Sequence, residues 1–182
     1  MFFWIWTAYI SVLGGLCALG ITRDVGDGTA MGCQAFDTSR VVVHDIIQKP
    51  EYWQFFRFVS YSRSLLGDKM RYTWENMTVL VPDQEADSWK NMNIVKEFDN
   101  RTLIQEDTFT RITEFTKHHV VERSIPKSKK VRTNGGNMIW WDQVGQFRYV
   151  YPGAIRVLNR TEAYNGEVWK IEKLLWSEIV KQ

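Results

Sequence analysis

Asn165-Gly166-Glu167-Val168-Trp169-Lys170-Ile171 admits two folds. Asn-Gly is a strong hairpin turn signal, because a type I′ turn needs φ > 0 at both central residues, and Val168-Trp169-Lys170-Ile171 then begins a strand. Against this, Val168, Ile171, Leu175 and Ile179 share one helical face, with Glu167 to Lys170 and Glu172 to Lys173 on its flanks. The turn favours a strand from Glu167 to about Trp176. That choice makes the second half of the chain a meander. Thr102 to Ile125 reads as a long strand or strand pair, Val131 to Tyr151 as another, and Ala154 to Tyr164 as a third. Asn134-Gly135-Gly136, Gln143 to Gly145 and Pro152-Gly153 supply the turns, and Pro126 with a lysine cluster supplies a loop.

The first half has a different period. Asp37 or Thr38 caps a helix carrying Val41, Val42, Ile46 and Ile47, which Pro50 ends. Glu51 to Leu66 places Tyr52, Phe55, Phe56 and Val59 at helical spacing. Lys69 to Val81 reads as a strand stopped by Pro82, and Asp83-Gln84-Glu85 opens a third helix with Trp89, Met92, Ile94, Val95 and Phe98. The predicted class is α+β, with N-terminal helices packed on a curved antiparallel sheet in one domain over 37–182.

Helix, helix, strand, helix and then a meander closing on Gly166 to Ile171 resembles the cone-shaped fold of the nuclear transport factor 2-like superfamily, in its SnoaL-like branch. The resemblance implies a curved sheet wrapped around an apolar pocket, often with dimerisation through the open sheet face. It leaves function open, since fold alone does not assign chemistry.

At the other end, Met1 to Gly20 contains no Asp, Glu, Lys or Arg. This run reads as a secretory signal cut after Ala18-Leu19-Gly20, with a single-pass signal anchor as the alternative. Residues 21–36 are Gly-rich and read as a flexible arm. Three N-glycosylation acceptors, at Asn76, Asn100 and Asn159, fit a lumenal route. Cys17 falls in the signal, so Cys33 is the sole mature cysteine: no intramolecular disulfide forms, and pairing with another chain competes with a buried thiol.

Composition narrows the partners. Nine Trp, seven Tyr and ten Phe make the chain 14% aromatic, which favours sheet and a wide core or an apolar cavity. A net charge of +2, with acids interspersed among the bases, argues against nucleic acid. The one local excess, Lys127, Lys129, Lys130 and Arg132, reads as a solvated hairpin loop in preference to a polyanion patch.

Candidate chemistry is sparse. On a strand, His118 and His119 project to opposite faces and cannot converge on one metal ion without a bulge, which demotes a zinc site. His118 would share its face with Glu114 and Glu122, and His119 with Phe115 and Val121; either histidine is a candidate acid-base residue. His44, beside Asp45, has no nucleophile near it in sequence. No cofactor motif and no metal-ligand cluster occurs. Tyr52, Phe55, Phe56, Trp140, Tyr149 and Trp169 are the candidate lining of an apolar pocket, most of the aromatics being core. Phe147, Tyr149 and Tyr151 share one strand face, while Trp140 and Trp141 point oppositely, leaving one for a protein partner.

The expectation is a secreted, glycosylated, non-enzymatic domain binding an apolar small molecule, a lipid or a protein partner, with a homodimer as one form. The alternatives are a cyclase, isomerase or dehydratase using a pocket histidine, and an accessory protein held in the membrane by an uncleaved N-terminus.

Overall fold

The structure is a computed structural model and describes residues 41–72, 74, 76–100 and 106–175. The predicted signal, the Gly-rich arm, both cysteines, Thr102 and Trp176 onward lie outside the described residues.

The N-terminal helices follow their punctuation. Helix α1 (Val43–Ile47) ends at Gln48, and Lys49 turns extended, as a residue preceding proline must. Pro50–Tyr52 forms a 3-10 turn running into α2 (Trp53–Tyr61), which buries Phe55, Phe58 and Val59. A short α3 (Leu66–Lys69) follows. The strand expected over Lys69–Val81 shrinks to β1 (Met77–Pro82), while Tyr72 and Trp74 lie exposed and stacked on each other. The helix expected after Pro82 divides into α4 (Asp87–Lys90) and α5 (Asn93–Asp99).

Residues 106–118, expected as strand, form the longest described helix, α6 (Glu106–His118). β-Branched residues suggested a strand, yet Thr108, Ile112, Phe115 and Thr116 recur at helical spacing and are buried. A buried threonine hydroxyl needs a partner, and the preceding helical turn supplies one. Thr113 Oγ1 donates to the Phe109 carbonyl at 2.8 Å and Thr116 Oγ1 to the Ile112 carbonyl at 2.8 Å.

Six further strands complete the sheet: β2 (Val120–Val121), β3 (Val131–Arg132), β4 (Met138–Val144), β5 (Phe147–Tyr151), β6 (Ile155–Ala163) and β7 (Gly166–Ile171). The segment from Asn165 is therefore turn and strand over Gly166–Ile171. The spatial order is β2-β1-β7-β6-β5-β4-β3. Strand β7 pairs antiparallel with β6 and parallel with β1, in register Met77↔Gly166 through Pro82↔Ile171. The sheet is mixed, and the antiparallel expectation fails at this pair, because a strand read from local turns carries no signal of its distant neighbour.

The two sheet edges come round toward each other. The backbone amide of Asn134, just past β3, donates to the Val120 carbonyl of β2 at 2.8 Å, and Gly135 N donates to the Lys117 carbonyl at 2.9 Å. The lysine-rich segment after β2 is thus a crossing from one sheet edge to the other, and the hairpin-loop reading is corrected.

This near-closure separates two cores. Inside the barrel lie Leu80, Val121, Ile139, Val150, Trp169 and Ile171 with their neighbours. The other cluster joins Phe55, Phe58, Trp89, Ile112 and Phe115 of the helices to Met77, Val79, Val81, Val120 and Val168 of the strands. Strand alternation sends Leu80 one way and its neighbours Val79 and Val81 the other, so β1 is buried at every position.

Asn165 and Gly166 are the joint between these parts. Asn165, 2% exposed, accepts from Val43 N at 2.8 Å and donates to the Met70 and Tyr72 carbonyls, each at 2.9 Å. Its own carbonyl accepts from Met77 N at 3.1 Å. Gly166 has φ +144°, and a Cβ there would overlap the Met77 carbonyl oxygen, so the start of β7 approaches β1 as only glycine permits.

Candidate functional site

The histidines are set into packing. His119 follows the C-terminus of α6 and is 0% exposed, between the rings of Phe55 and Phe115. Its Nδ1–H donates to the Phe115 carbonyl at 2.9 Å, which leaves Nε2 to accept from Leu175 N at 3.4 Å. Burial pushes its pKa down to about 4, so the ring is neutral at physiological pH. His118 is half-buried beside the Thr133–Asn137 turn, its Nδ1 2.5 Å from the Asn137 amide, in space that a Cβ on Gly135 would fill. Burial lowers its pKa as well. Of the carboxylates expected to orient them, Glu114 pairs with Lys117 while its charge also acts on His118, and Glu122 is held by Lys69. His44 is buried at 7% exposure, with Arg71 Nε donating to its Nε2 at 3.0 Å. No group of three or more His, Cys, Asp or Glu among the described residues is arranged to hold a metal ion.

The six candidate pocket aromatics do not converge. Tyr52 and Phe55 belong to the helix-side core with Phe56 packed on it, whereas Trp169 belongs to the barrel core. Trp140 and Tyr149 lie outside both clusters. The barrel closes on its own side chains because its strands turn inward large apolar residues that fill a narrow interior.

One end of that interior is sealed by charge as well as by rings. Trp141 and Trp169 meet edge to face at 6.0 Å, and the Arg148 guanidinium lies 4.1 Å and 5.1 Å from their ring centroids. Arg160 grips the Glu167 carboxylate at 2.7 and 2.6 Å and holds it below the usual carboxylate range. Trp169 Nε1 donates to the same carboxylate at 2.5 Å. Arg160 and Glu167 neutralise each other, while the Arg148 guanidinium rests on the two indole faces.

The opposite, outer face of β3, β4 and β5 is different. Val131, Ile139, Val150 and Ile155 face the barrel, so the alternate residues face outward. Lys130 and Arg132 enter and form β3; Met138, Trp140, Asp142 and Val144 follow on β4; Phe147, Tyr149 and Tyr151 lie on β5. Met138 is 42%, Val144 57% and Phe147 41% exposed. Trp140 and Tyr151, cross-strand partners, stack with centroids 5.5 Å apart and planes 12° from parallel. Lys130 Nζ sits 5.0 Å from the Trp140 ring centroid. The expectation that Phe147, Tyr149 and Tyr151 share a face matches this strand geometry. What sequence reading missed was the addition of Lys130 and Arg132 to the same face, which follows from the Val131↔Ile139 register.

All three glycosylation candidates, Asn76, Asn100 and Asn159, are exposed. No helix among the described residues is long and apolar enough to cross a membrane.

No protein-family model matches the chain. It is 23% identical to a FAS1 domain-containing protein of Aspergillus fumigatus, over 76% of this chain and 64% of that one. It is also 23% identical to a FAS1 domain-containing protein of Emericella nidulans, over 73% of this chain and 61% of that one. The chain thus spans less than two thirds of the length of these curated relatives. Among solved structures it resembles a FAS1 domain pair from the insect cell adhesion molecule fasciclin I, with a TM-score of 0.59 and 15% identity, over 77% of this chain and 52% of that one. Its nearly closed, helix-associated mixed barrel is therefore a FAS1-like fold, and the nuclear transport factor 2-like cone is set aside.

Proposed function

We propose that this protein is an extracellular, non-catalytic domain of the adhesion type, which acts by presenting the outer face of β3–β5 to a macromolecular partner. The likeness to a domain pair from a cell adhesion molecule carries the reading. The apolar N-terminal run and three exposed acceptor asparagines favour the secretory route. The buried, neutral His119 ring favours a structural over an acid-base role. An aromatic surface at the centre of an uncovered sheet face is the kind of patch on which recognition energy concentrates.

The test is expression of the full chain in eukaryotic cells, with secretion and glycan mass followed by mass spectrometry, then attachment of cells to surfaces coated with the product. The expected result is a secreted protein whose mass falls on glycosidase treatment. Cell attachment should fall at least several-fold in a Trp140→Ala, Phe147→Ala, Tyr149→Ala variant that keeps its thermal stability. An unglycosylated chain retained in the cytosol would remove the extracellular reading, and undiminished attachment would remove this face as the partner site.

A further inference from the structure

We infer that the crossing between β2 and β3, together with the Trp140 plate beside it, is a binding site for an acidic polysaccharide, one carrying sulfate or uronate groups. The site is carried first by an imbalance of charge. Elsewhere among the described residues nine cations each face a carboxylate, from Arg57–Asp99 to Lys170–Asp83, and the five that do not, Lys49, Arg71, Lys96, Arg148 and Lys173, are dispersed along the chain, whereas the crossing gathers five within ten residues. Arg123, Lys127, Lys129, Lys130 and Arg132 are all exposed, and none has a carboxylate partner among the described residues. The acid nearest in sequence, Glu122, is already taken by Lys69 at 2.7 Å and by the Asn134 amide at 2.9 Å. The single acid on the adjoining outer face is Asp142, placed two residues along β4 from Trp140, on the side away from Met138 and Arg132. The local field is therefore positive although the whole chain carries only +2.

The second support is that these cations are held in place. Ser128, at φ 57°, donates its amide to the Trp141 carbonyl at 2.8 Å, and Lys127 bridges to Trp141, which fastens the crossing along β4. Val131 and Arg132 then pair with Ile139 and Met138. A fixed row of cations loses less conformational freedom on binding than a row on a free loop.

The third support is the aromatic plate. Lys130 already lies over Trp140, which is stacked on Tyr151, so charge and a flat π surface occupy adjacent positions. A sugar ring offers apolar C–H faces to such a plate and its acidic substituents to the flanking cations. Nucleic acid would use the cations but gains no defined groove on this sheet, and an anionic membrane leaflet faces the cytosol. The choice of polysaccharide over membrane rests on the extracellular reading above; the cation site does not.

The experiment uses the purified full chain, whether recovered from medium or from cells, with heparin oligosaccharide as probe, in titration calorimetry at about 0.15 M salt, where exposed charges act over about 8 Å. The expected result is binding that weakens steeply as salt rises, weakens further with chemically desulfated probe, which keeps only its uronate charges, and fails with probe that is both desulfated and carboxyl-reduced. Lys129→Gln, Lys130→Gln, Arg132→Gln in one chain should weaken it at least about tenfold, since several exposed ion pairs are lost together. Trp140→Ala should weaken it several-fold with the cations intact. A charge-matched control, Lys49→Gln, Lys96→Gln, Lys173→Gln, should bind within about twofold of the parent. Equal loss in the control and the site variant would reduce the effect to net charge and overturn the site. Duplex DNA or phosphatidylserine vesicles binding as tightly as heparin, with the same dependence on Lys129, Lys130 and Arg132, would overturn the polysaccharide assignment. Because binding is measured on purified protein, its failure is separable from any failure of secretion.

Discussion

Strand β1 is buried at all six of its positions, whereas β4, in the same sheet, has Ile139 as its one fully buried residue. The difference lies in what covers each strand. Val79, Val81 and Val168 meet helical Phe55, Phe58 and Ile112 on one side while Leu80 and Trp169 meet the barrel interior on the other. Strands β4 and β5 have the interior alone, and their second face carries Phe147 to the surface with Trp140, Tyr149 and Tyr151 half-buried beside it. One sheet thus divides into a half buried on both faces and a half with one face outside both cores. Substitutions should separate accordingly, with stability lost in the first half and recognition in the second.

The harshest way to break the covered half is Gly166→Ala, which sets a methyl group against the Met77 carbonyl and forces a side chain onto φ +144°. The expected cost exceeds about 4 kcal/mol, read as loss of cooperative denaturant unfolding or of soluble protein. A variant melting within a few degrees of the parent would show that the β1–β7 contact can relax. Asn165→Ala comes next. It strands Val43 N and the Tyr72 carbonyl and leaves the Met70 carbonyl with His44 N as its one donor, and should cost about 3 kcal/mol by chemical denaturation.

His119 sharpens the comparison through pH. Its folded pKa of about 4 lies below the ordinary 6.5, so the unfolded chain binds more protons between those values and folding stability falls as pH drops from 6.5 to 4. The loss should approach about 3 kcal/mol, at 1.36 kcal/mol per pKa unit. Above pH 6.5 both states are neutral at this site and its contribution is flat. Burial shifts His44 and His118 the same way, so the His119 share is the part of the pH slope that disappears in His119→Gln. An unchanged slope would place the acid sensitivity in the other two histidines. At the small end, Trp140→Ala on the uncovered face should change stability by about 1 kcal/mol or less while reducing attachment and heparin affinity. A loss as large as that of Asn165→Ala would mean that β4 supports the fold as strongly as β1 does.

Local chemistry was the legible part of the chain. Pro50 and Pro82 bound elements where expected, the β5 aromatics share a face as their alternation requires, and the hairpin turn falls one residue earlier than Asn165-Gly166 proposes, at Tyr164-Asn165, with Gly166 opening β7 opposite Ala163. Residues 106–118 misled because threonine favours strands on average, while here two of the threonine hydroxyls are satisfied by the helix's own carbonyls. The parallel union of β1 with β7 was invisible for a different reason: no local turn joins them, and the register depends on Gly166 fitting against Met77. The outer face of β3–β5 was half legible. Its aromatics could be placed by alternation, but its cations belong to it only through the β3–β4 register and through the crossing that closes the barrel.

The position of β7 also dictates a timetable. It is the last described strand in sequence, yet it lies between β1 and β6, near the middle of the sheet. A nascent chain leaving the ribosome N-terminus first therefore exposes the apolar β1 long before its partner is made, and the barrel is completed only when Gly166–Ile171 arrives. Leu174 and Leu175 follow at once, one into each core. Such long-range pairing slows folding and prolongs the interval in which β1 can meet the wrong edge. A ribosome-arrested chain ending before Asn165 should remain protease-sensitive, while one extended past Leu175 and clear of the exit tunnel should gain protection in a single step.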